Sequence, residues 1–383
     1  MRARSLKASA CADHANRGRL PSPPLVEPVA ALSDRERIRT ARHARLAGLG
    51  EEGQRRLAAA RIAIVGAGGL GSPAVLALAA AGVGTLTVID DDSVELSNLQ
   101  RQVLHRLEDV GAPKVDSAVR AASELSPHTR VIPIREHLDP GSAARLLAGA
   151  DLVLDGSDTF DTREAVASAC ESLGVPLVWG TVQEFHAQVT VFWSAPPEGA
   201  EPVRLADLHP PGSAGDAPTC AAVGVLGPLC LQVGSLMAIE AVKLVAGIGE
   251  PLLGRILLVD ALDGTTRVVP LRAAQTAPRP VTRPSVPAVG ADALDGAVIL
   301  DVREADEVAG GVIPGARHVP LADLLAAPGV FEGRVVVVCQ TSVRARRGAE
   351  ALRAAGVDAA VLAGGMAAWS GPTVPAAAPA VAR

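Results

Sequence analysis

The residues best suited to chemistry fall into groups far apart along the chain. The first is Gly66-x-Gly68-Gly69-x-Gly71, followed by Asp90 and Asp92 and then by Asn98, Arg101 and Lys114. Glycines without a Cβ let the backbone approach a phosphate, and a helix starting there presents free N–H groups at its positive end. Asp90, about twenty residues on, is placed to accept hydrogen bonds from ribose hydroxyls. This much reads as nucleotide binding and suits a dehydrogenase equally well. The amide, guanidinium and ammonium downstream separate the two. Hydride transfer has no need of them, whereas release of pyrophosphate builds negative charge on the leaving oxygens that they would stabilise.

The second group is a strand, Asp151 to Asp155, emptying into a loop with Asp158 and Thr159. Ligands of open α/β sheets gather at the carboxyl ends of strands, and Mg²⁺ prefers one or two carboxylates plus phosphate oxygens. Asp155 reads as a second ligand or simply as the strand end. Cys220 follows a Pro/Gly-rich stretch and precedes a glycine-rich helix start, a setting that lowers a thiol pKa. The last group is Cys339-Gln340-Thr341-Ser342-Val343-Arg344, a tight loop between the strand Val335 to Val338 and an amphipathic helix. Backbone N–H groups in such a nest stabilise a thiolate or persulfide, with Arg344 adding fixed charge. By itself a Cys-x-x-x-x-Arg loop also suits a small tyrosine phosphatase, although no general-acid Asp loop is identifiable.

The elements that must hold these groups alternate between strand and helix. Strands are expected at Ile62–Val65, Thr85–Ile89, Val131–Ile134, Asp151–Asp155 and Arg255–Asp260, with a strand group over Val175–Phe192. Helices are expected after Gly71 and Lys114, and over Val233–Ala246. The pattern predicts an α/β protein with a Rossmann-like, mostly parallel sheet. Ser33 to Ala60 reads as one helix, with Ser33 and Glu36 as a capping box. Pro196 to Pro218 reads as a long surface crossover. The prolines of 273–290 mark a semi-rigid linker, and the strand Val298 to Asp301 opens a smaller α/β domain.

Composition narrows the classes. The 383 residues suffice for two cores. With 49% apolar but only 2% aromatic residues, those cores are built from Ala, Val and Leu. A net charge of −5 argues against nucleic acid or an anionic membrane as partner, and no apolar run is expected to reach the length of a membrane span. The five cysteines, Cys11, Cys170, Cys220, Cys230 and Cys339, are scattered and include no C-x-x-C pair. They read as reduced thiols in the cytoplasm, with Cys170 and Cys230 in apolar helical patterns as core residues.

The motifs GAGGLGS, DDDSVELSNLQRQ and GAPK closely resemble the MoeB/ThiF family of ubiquitin-activating-type adenylyltransferases, from about Arg39 to about Leu271. The resemblance implies ATP and Mg²⁺ as cofactors, with Asp158 as Mg²⁺ ligand and a homodimer formed through the adenylation domain. Arg39-Thr40-Ala41-Arg42-His43 aligns with the family's R-Y-x-R-Q, which makes Arg42 a ligand for the ATP phosphates of the partner subunit; a solvated basic helix face is the alternative. Cys220 aligns with the thiol that faces the adenylate. The family often carries two C-x-x-C pairs as a zinc site, so no structural zinc is expected; Asp207 and His209, the leftover candidate ligands, read as solvent-facing. Thr40, Thr159, His186 and Ala187 depart from the family pattern, the last two near where a carrier tail should thread. His186 is also a weak candidate base.

The C-terminal segment, with DVRE, Ile313-Pro314-Gly315-Ala316 and Gly364-Gly365-Met366, is similar to a single rhodanese domain, and the two-domain order is MoeZ-like. The implied division is a disordered extension at 1–32, an adenylyltransferase domain at 33–272, the linker at 273–290, a rhodanese-like domain at 291–374 and a tail at 375–383. The implied activity is adenylation of a ubiquitin-like sulfur carrier ending in Gly-Gly. Sulfur transfer from a Cys339 persulfide would follow, the donor being a cysteine desulfurase or thiosulfate. Arg303 either supports that loop or pins the strand end. A non-catalytic scaffold is the alternative, and a nucleotide-dependent oxidoreductase a more distant one.

Overall fold

The computed structural model describes residues 23–210, 224–272, 286–329, 331 and 333–375. The chain divides into two units, residues 1–275 and 276–383.

The first unit is an eight-stranded sheet in the order β3-β2-β1-β4-β5-β6-β7-β8. Its strands are β1 Arg61–Val65, β2 Thr85–Ile89, β3 Arg130–Ile134, β4 Leu152–Asp155, β5 Leu177–Gln183, β6 His186–Phe192, β7 Arg255–Asp260 and β8 Thr265–Pro270. The first five run parallel and the last three antiparallel. In sequence order the strands step outward from β1 to β3, then return to β4 on β1's other side. That reversal leaves a crevice at the carboxyl ends of β1 and β4.

Alternation assigns the side chains to the two faces. Ile62, Ile64, Leu152 and Leu154 join one core cluster, while Ala63, Val65 and Val153 join the other. The helices that cover the sheet are α3 Gly50–Ala59, α4 Gly71–Ala81, α5 Lys114–Leu125, α6 Ala143–Leu147, α7 Phe160–Leu173 and α9 Gly227–Ala246. Helix α7 begins on Thr159, whose Oγ1 accepts the Thr162 N–H at 3.3 Å. Such a cap stabilises a helix by about 1 kcal/mol.

Several expectations are corrected. The segment Ser33–Ala60 is three helices, α1 Asp34–Arg39, α2 Ala41–Ala44 and α3. The Thr40 hydroxyl donates back to the Glu36 carbonyl at 2.7 Å, and Gly48 and Gly50 take positive φ. Ser33 does cap α1, but the Glu36 carboxylate is taken by Arg39. Within the supposed extension, Leu25 and Val26 pack on the main core, and the Leu25 and Val29 amides donate to Leu244 and Arg55 carbonyls. Two apolar residues between prolines carry no periodicity, so this docking was illegible. The crossover holds a short helix, α8 Leu205–Leu208, with Arg204 and Asp207 closing its first turn. By length and composition α9 is apolar enough to cross a membrane, contrary to expectation. Its Val233, Met237, Ala241 and Leu244 instead join Ala74, Val75 and Leu78 of α4 in the main core.

The second unit is a five-stranded, all-parallel sheet in the order β11-β10-β12-β13-β9. Its strands are β9 Ala288–Val289, β10 Val298–Asp301, β11 Arg317–His318, β12 Val335–Val338 and β13 Ala359–Leu362. Its helices are α10 Ala305–Val308, α11 Leu321–Ala326 and α12 Val343–Ala354. β9 falls in the span read as linker, so this domain begins before residue 291. A two-residue edge strand is too short to show alternation.

Candidate functional site

β1 ends at Val65, and Gly66 turns the chain with φ +87°. A Cβ on Gly71 would lie 1.7 Å from the Gly66 carbonyl oxygen, so the turn closes on itself only with glycine there. Asp90, at the end of β2, braces this turn. Its Oδ2 accepts the Ala67 N–H at 2.7 Å and its Oδ1 the Asp92 N–H at 2.9 Å. Burial raises the Asp90 carboxyl above its ordinary pKa, against the lowering effect of Lys114.

A cavity of about 350 Å³ opens at the crevice between β1 and β4. Gly66, Gly68, Gly69 and Asp90 form one side. Asp92, Arg101, Lys114 and Asp158 also line it, so most of the residues read as nucleotide ligands are brought together. Lys114 starts α5 and donates from Nζ to Asp92 Oδ2 at 2.7 Å. Arg101 is held by the Ser97 carbonyl at 3.2 Å, and exposed Asp158 sits in the loop before α7. A small cavity with glycine backbone on one wall, Arg101, Lys114 and Arg163 in its lining and the exposed Asp158 carboxylate beside them fits the phosphates of a nucleoside triphosphate.

Other expected ligands lie elsewhere. Asn98 closes a local 3-10 turn, its Oδ1 accepting the Glu95 N–H at 3.1 Å, and does not line the cavity. Asp155 is fully buried at the end of β4; Oδ1 accepts the Ser157 N–H at 2.9 Å and Oδ2 has no partner. Desolvation raises its pKa, and it ends the strand rather than facing the cavity. Gly71 supports the turn from beneath. Arg39 is tied to Glu36 and to the Ala80 carbonyl, whereas Arg42 is exposed and makes no ion pair among the described residues. His186 is exposed on β6, 3.5 Å from Asp260 Oδ2, and also outside the cavity. Cys220 lies outside the described residues. Asp207 caps α8, and His209 stacks edge-on between Phe160 and Trp179.

The cavity wall includes residues that sequence reading passed over. Gln102, buried with Oε1 unpartnered, is one, and Cys230, read as pure core, is another. Glu136 and His137 also reach it. The usable signal was position: both follow β3, whose carboxyl end points the same way as those of β1 and β4.

In the second unit Cys339 directly follows β12 and is 1% exposed. Its Sγ accepts the Ala345 N–H at 3.3 Å. Ser342 has φ +74° and donates to the Leu362 carbonyl at 2.7 Å, while Gln340 and Thr341 are exposed. Gly365 closes the loop from behind; a Cβ there would meet the Cys339 carbonyl oxygen at 2.3 Å. Arg344 pairs with Glu307 through both nitrogens, at 2.5 and 2.6 Å. This holds the Glu307 carboxyl down to about 2. Buried Arg303 grips Asp301 at 2.7 Å and donates to the Gly311 carbonyl, pinning the end of β10.

Comparison with known proteins matches this division. The model of the ThiF family matches residues 40–279, and that of the rhodanese-like domain matches residues 289–372. The chain is 39% identical over 378 residues to the "Probable adenylyltransferase/sulfurtransferase MoeZ" of Mycobacterium tuberculosis, covering 91% of this chain and 96% of that protein. It is 45% identical over 225 residues to the "Sulfur carrier protein adenylyltransferase" of Thermus thermophilus, covering 58% of this chain and 83% of that protein. The crystal structure of E. coli MccB with AMPCPP and MccA shares the fold, with a TM-score of 0.55, 20% identity, and coverage of 64% of this chain and 74% of that one. The chain belongs to the ThiF family and carries a rhodanese-like domain behind its ThiF domain.

Proposed function

We propose that this protein is an adenylyltransferase and sulfurtransferase that converts the C-terminal carboxylate of a ubiquitin-like sulfur-carrier protein, ending in Gly-Gly, into a thiocarboxylate. ATP is the co-substrate. The observation that carries the reading is the convergence of Arg101, Lys114 and Asp158 on one cavity at the strand reversal, in a chain that also holds Cys339 in a loop whose Ala345 N–H donates to its sulfur. Both named relatives support it.

A carboxylate is a poor electrophile, and joining it to AMP supplies a leaving group. The carrier's carboxylate oxygen attacks the α-phosphorus while the bond to pyrophosphate breaks. The Gly66–Gly69 turn and Asp90 position the nucleotide, and Arg101 and Lys114 stabilise charge on the departing oxygens. Asp158 is the residue that would hold Mg²⁺, which would supply charge neutralisation at the phosphates. Arg42, from the second copy of a homodimer, reaches the phosphates of its partner. The terminal sulfur of a Cys339 persulfide then attacks the acyl carbon, and AMP leaves. Cys220 resolves the acyl disulfide, releasing the thiocarboxylate and leaving a disulfide for an external thiol to reduce. The reaction belongs to the cytoplasm, where such thiols are kept reduced.

The test is exchange of labelled pyrophosphate into ATP, dependent on a Gly-Gly carrier, followed by carrier mass spectrometry. Gain of one sulfur in place of oxygen is expected. No exchange with any candidate carrier favours a scaffold, and NAD(H) binding favours an oxidoreductase.

A further inference from the structure

The Cys339 loop is built with two arginines beside it, and both are already neutralised. Arg344 meets Glu307 fork to fork, at 2.5 and 2.6 Å. Arg303 meets Asp301 at 2.7 Å, and the pair is buried. The loop's exposed side chains, Gln340 and Thr341, carry no charge, and the Ala345 amide is the donor on Cys339 Sγ. His318 faces the Arg303 carbonyl at 2.8 Å. Arg346 and Arg347, further along α12, are exposed. The geometry suits a single negative charge on sulfur, and neither Arg303 nor Arg344 has its charge left over for a dianion.

We propose that Glu307 is a specificity-determining residue: by pairing Arg344 it makes the loop accept sulfur from a monoanionic persulfide in preference to dianionic thiosulfate. This rests on the reading of Cys339 as the sulfur carrier. In the favoured step the Cys339 thiolate attacks the terminal sulfur of R–S–S⁻. The new S–S bond forms as the donor's S–S bond breaks, its electron pair leaving on R–S⁻. With thiosulfate the same displacement expels sulfite, and two negative charges must approach a thiolate without help. Glu307 acts through Arg344 and is a positioning residue.

The experiment uses the full chain and follows the gain of sulfur on Cys339 by mass spectrometry, with cysteine persulfide and thiosulfate as probes. Wild type loads faster from cysteine persulfide, and its thiosulfate rate rises with salt, which screens the repulsion between the dianion and the thiolate. Glu307→Gln frees Arg344, lowers the KM for thiosulfate about tenfold relative to persulfide and makes that reaction slow down as salt is added. Glu307→Asp restores the wild-type preference. Equal loading from both donors by wild type, with a thiosulfate rate that falls steeply with salt, overturns the proposal. So does a folded Glu307→Gln protein with an unchanged thiosulfate KM. Should Glu307→Gln fail to fold, the wild-type donor and salt comparison still decides. Sulfur still gained by Cys339→Ser would overturn the carrier reading rather than the role of Glu307.

Discussion

Lys114 and Asp92 are tied twice: the Lys114 amide donates to the Asp92 carbonyl at 3.0 Å, and its Nζ reaches Asp92 Oδ2 at 2.7 Å. The ammonium is buried while its partner carboxylate is largely exposed. A cation held at the cavity wall by an exposed anion is ready to exchange that anion for a phosphate oxygen.

Removing this cation should therefore strike nucleotide chemistry alone. Lys114→Ala and Asp158→Ala should each lower carrier-dependent pyrophosphate exchange by about a hundredfold or more. Sulfur loading of Cys339 should continue, because that loop belongs to the other unit. Parallel loss of both activities would sink the division of labour.

Gly71 and Gly68 belong to one motif but answer to different constraints. Gly71→Ala places a Cβ 1.7 Å from the Gly66 oxygen and must spring the turn, whereas a Cβ on Gly68 rests 3.6 Å from Gln102 Nε2. Gly71→Ala should destabilise the first unit by about 2 kcal/mol or more. Gly68→Ala should leave stability nearly unchanged and weaken ATP binding by crowding the phosphate path. Thermal unfolding with and without ATP distinguishes them.

Asp155 and Glu307 should respond to pH with opposite signs. Glu307 is held down to about 2 in the folded chain. Its contribution to stability is present above the unfolded value of about 4.3 and is lost as pH falls from there toward 2. Glu307→Gln should flatten that acid-side decline, measured by calorimetry across the pH range.

Asp155 has a raised folded pKa because its burial disfavours the charged form. The folded state binds its proton more tightly, so the carboxyl costs stability as pH rises from about 3.9 through the folded value. Asp155→Asn keeps an acceptor for the Ser157 N–H and removes the charge. It should raise stability at neutral pH by about 1 kcal/mol, with little change at pH 3. A drop at neutral pH would show that the carboxylate has a role beyond ending β4.

Much of the fold was written in local pattern. The apolar runs of β1, β2, β10 and β12, the Gly66–Gly71 turn and the Cys339 loop are set by chain-local rules of alternation, glycine spacing and strand-to-loop transitions, and these appear in any sequence that obeys them. The tertiary structure decided which charges meet. That Arg344 is neutralised by Glu307, thirty-seven residues away, depends on α10 and α12 standing at neighbouring strand ends. That Asp155 is entombed and Asn98 turned inward, while Cys230 and Gln102 reach the cavity wall, depends on what packs over each. Burial and ion pairing are properties of neighbours distant in the chain, and no local spacing encodes them.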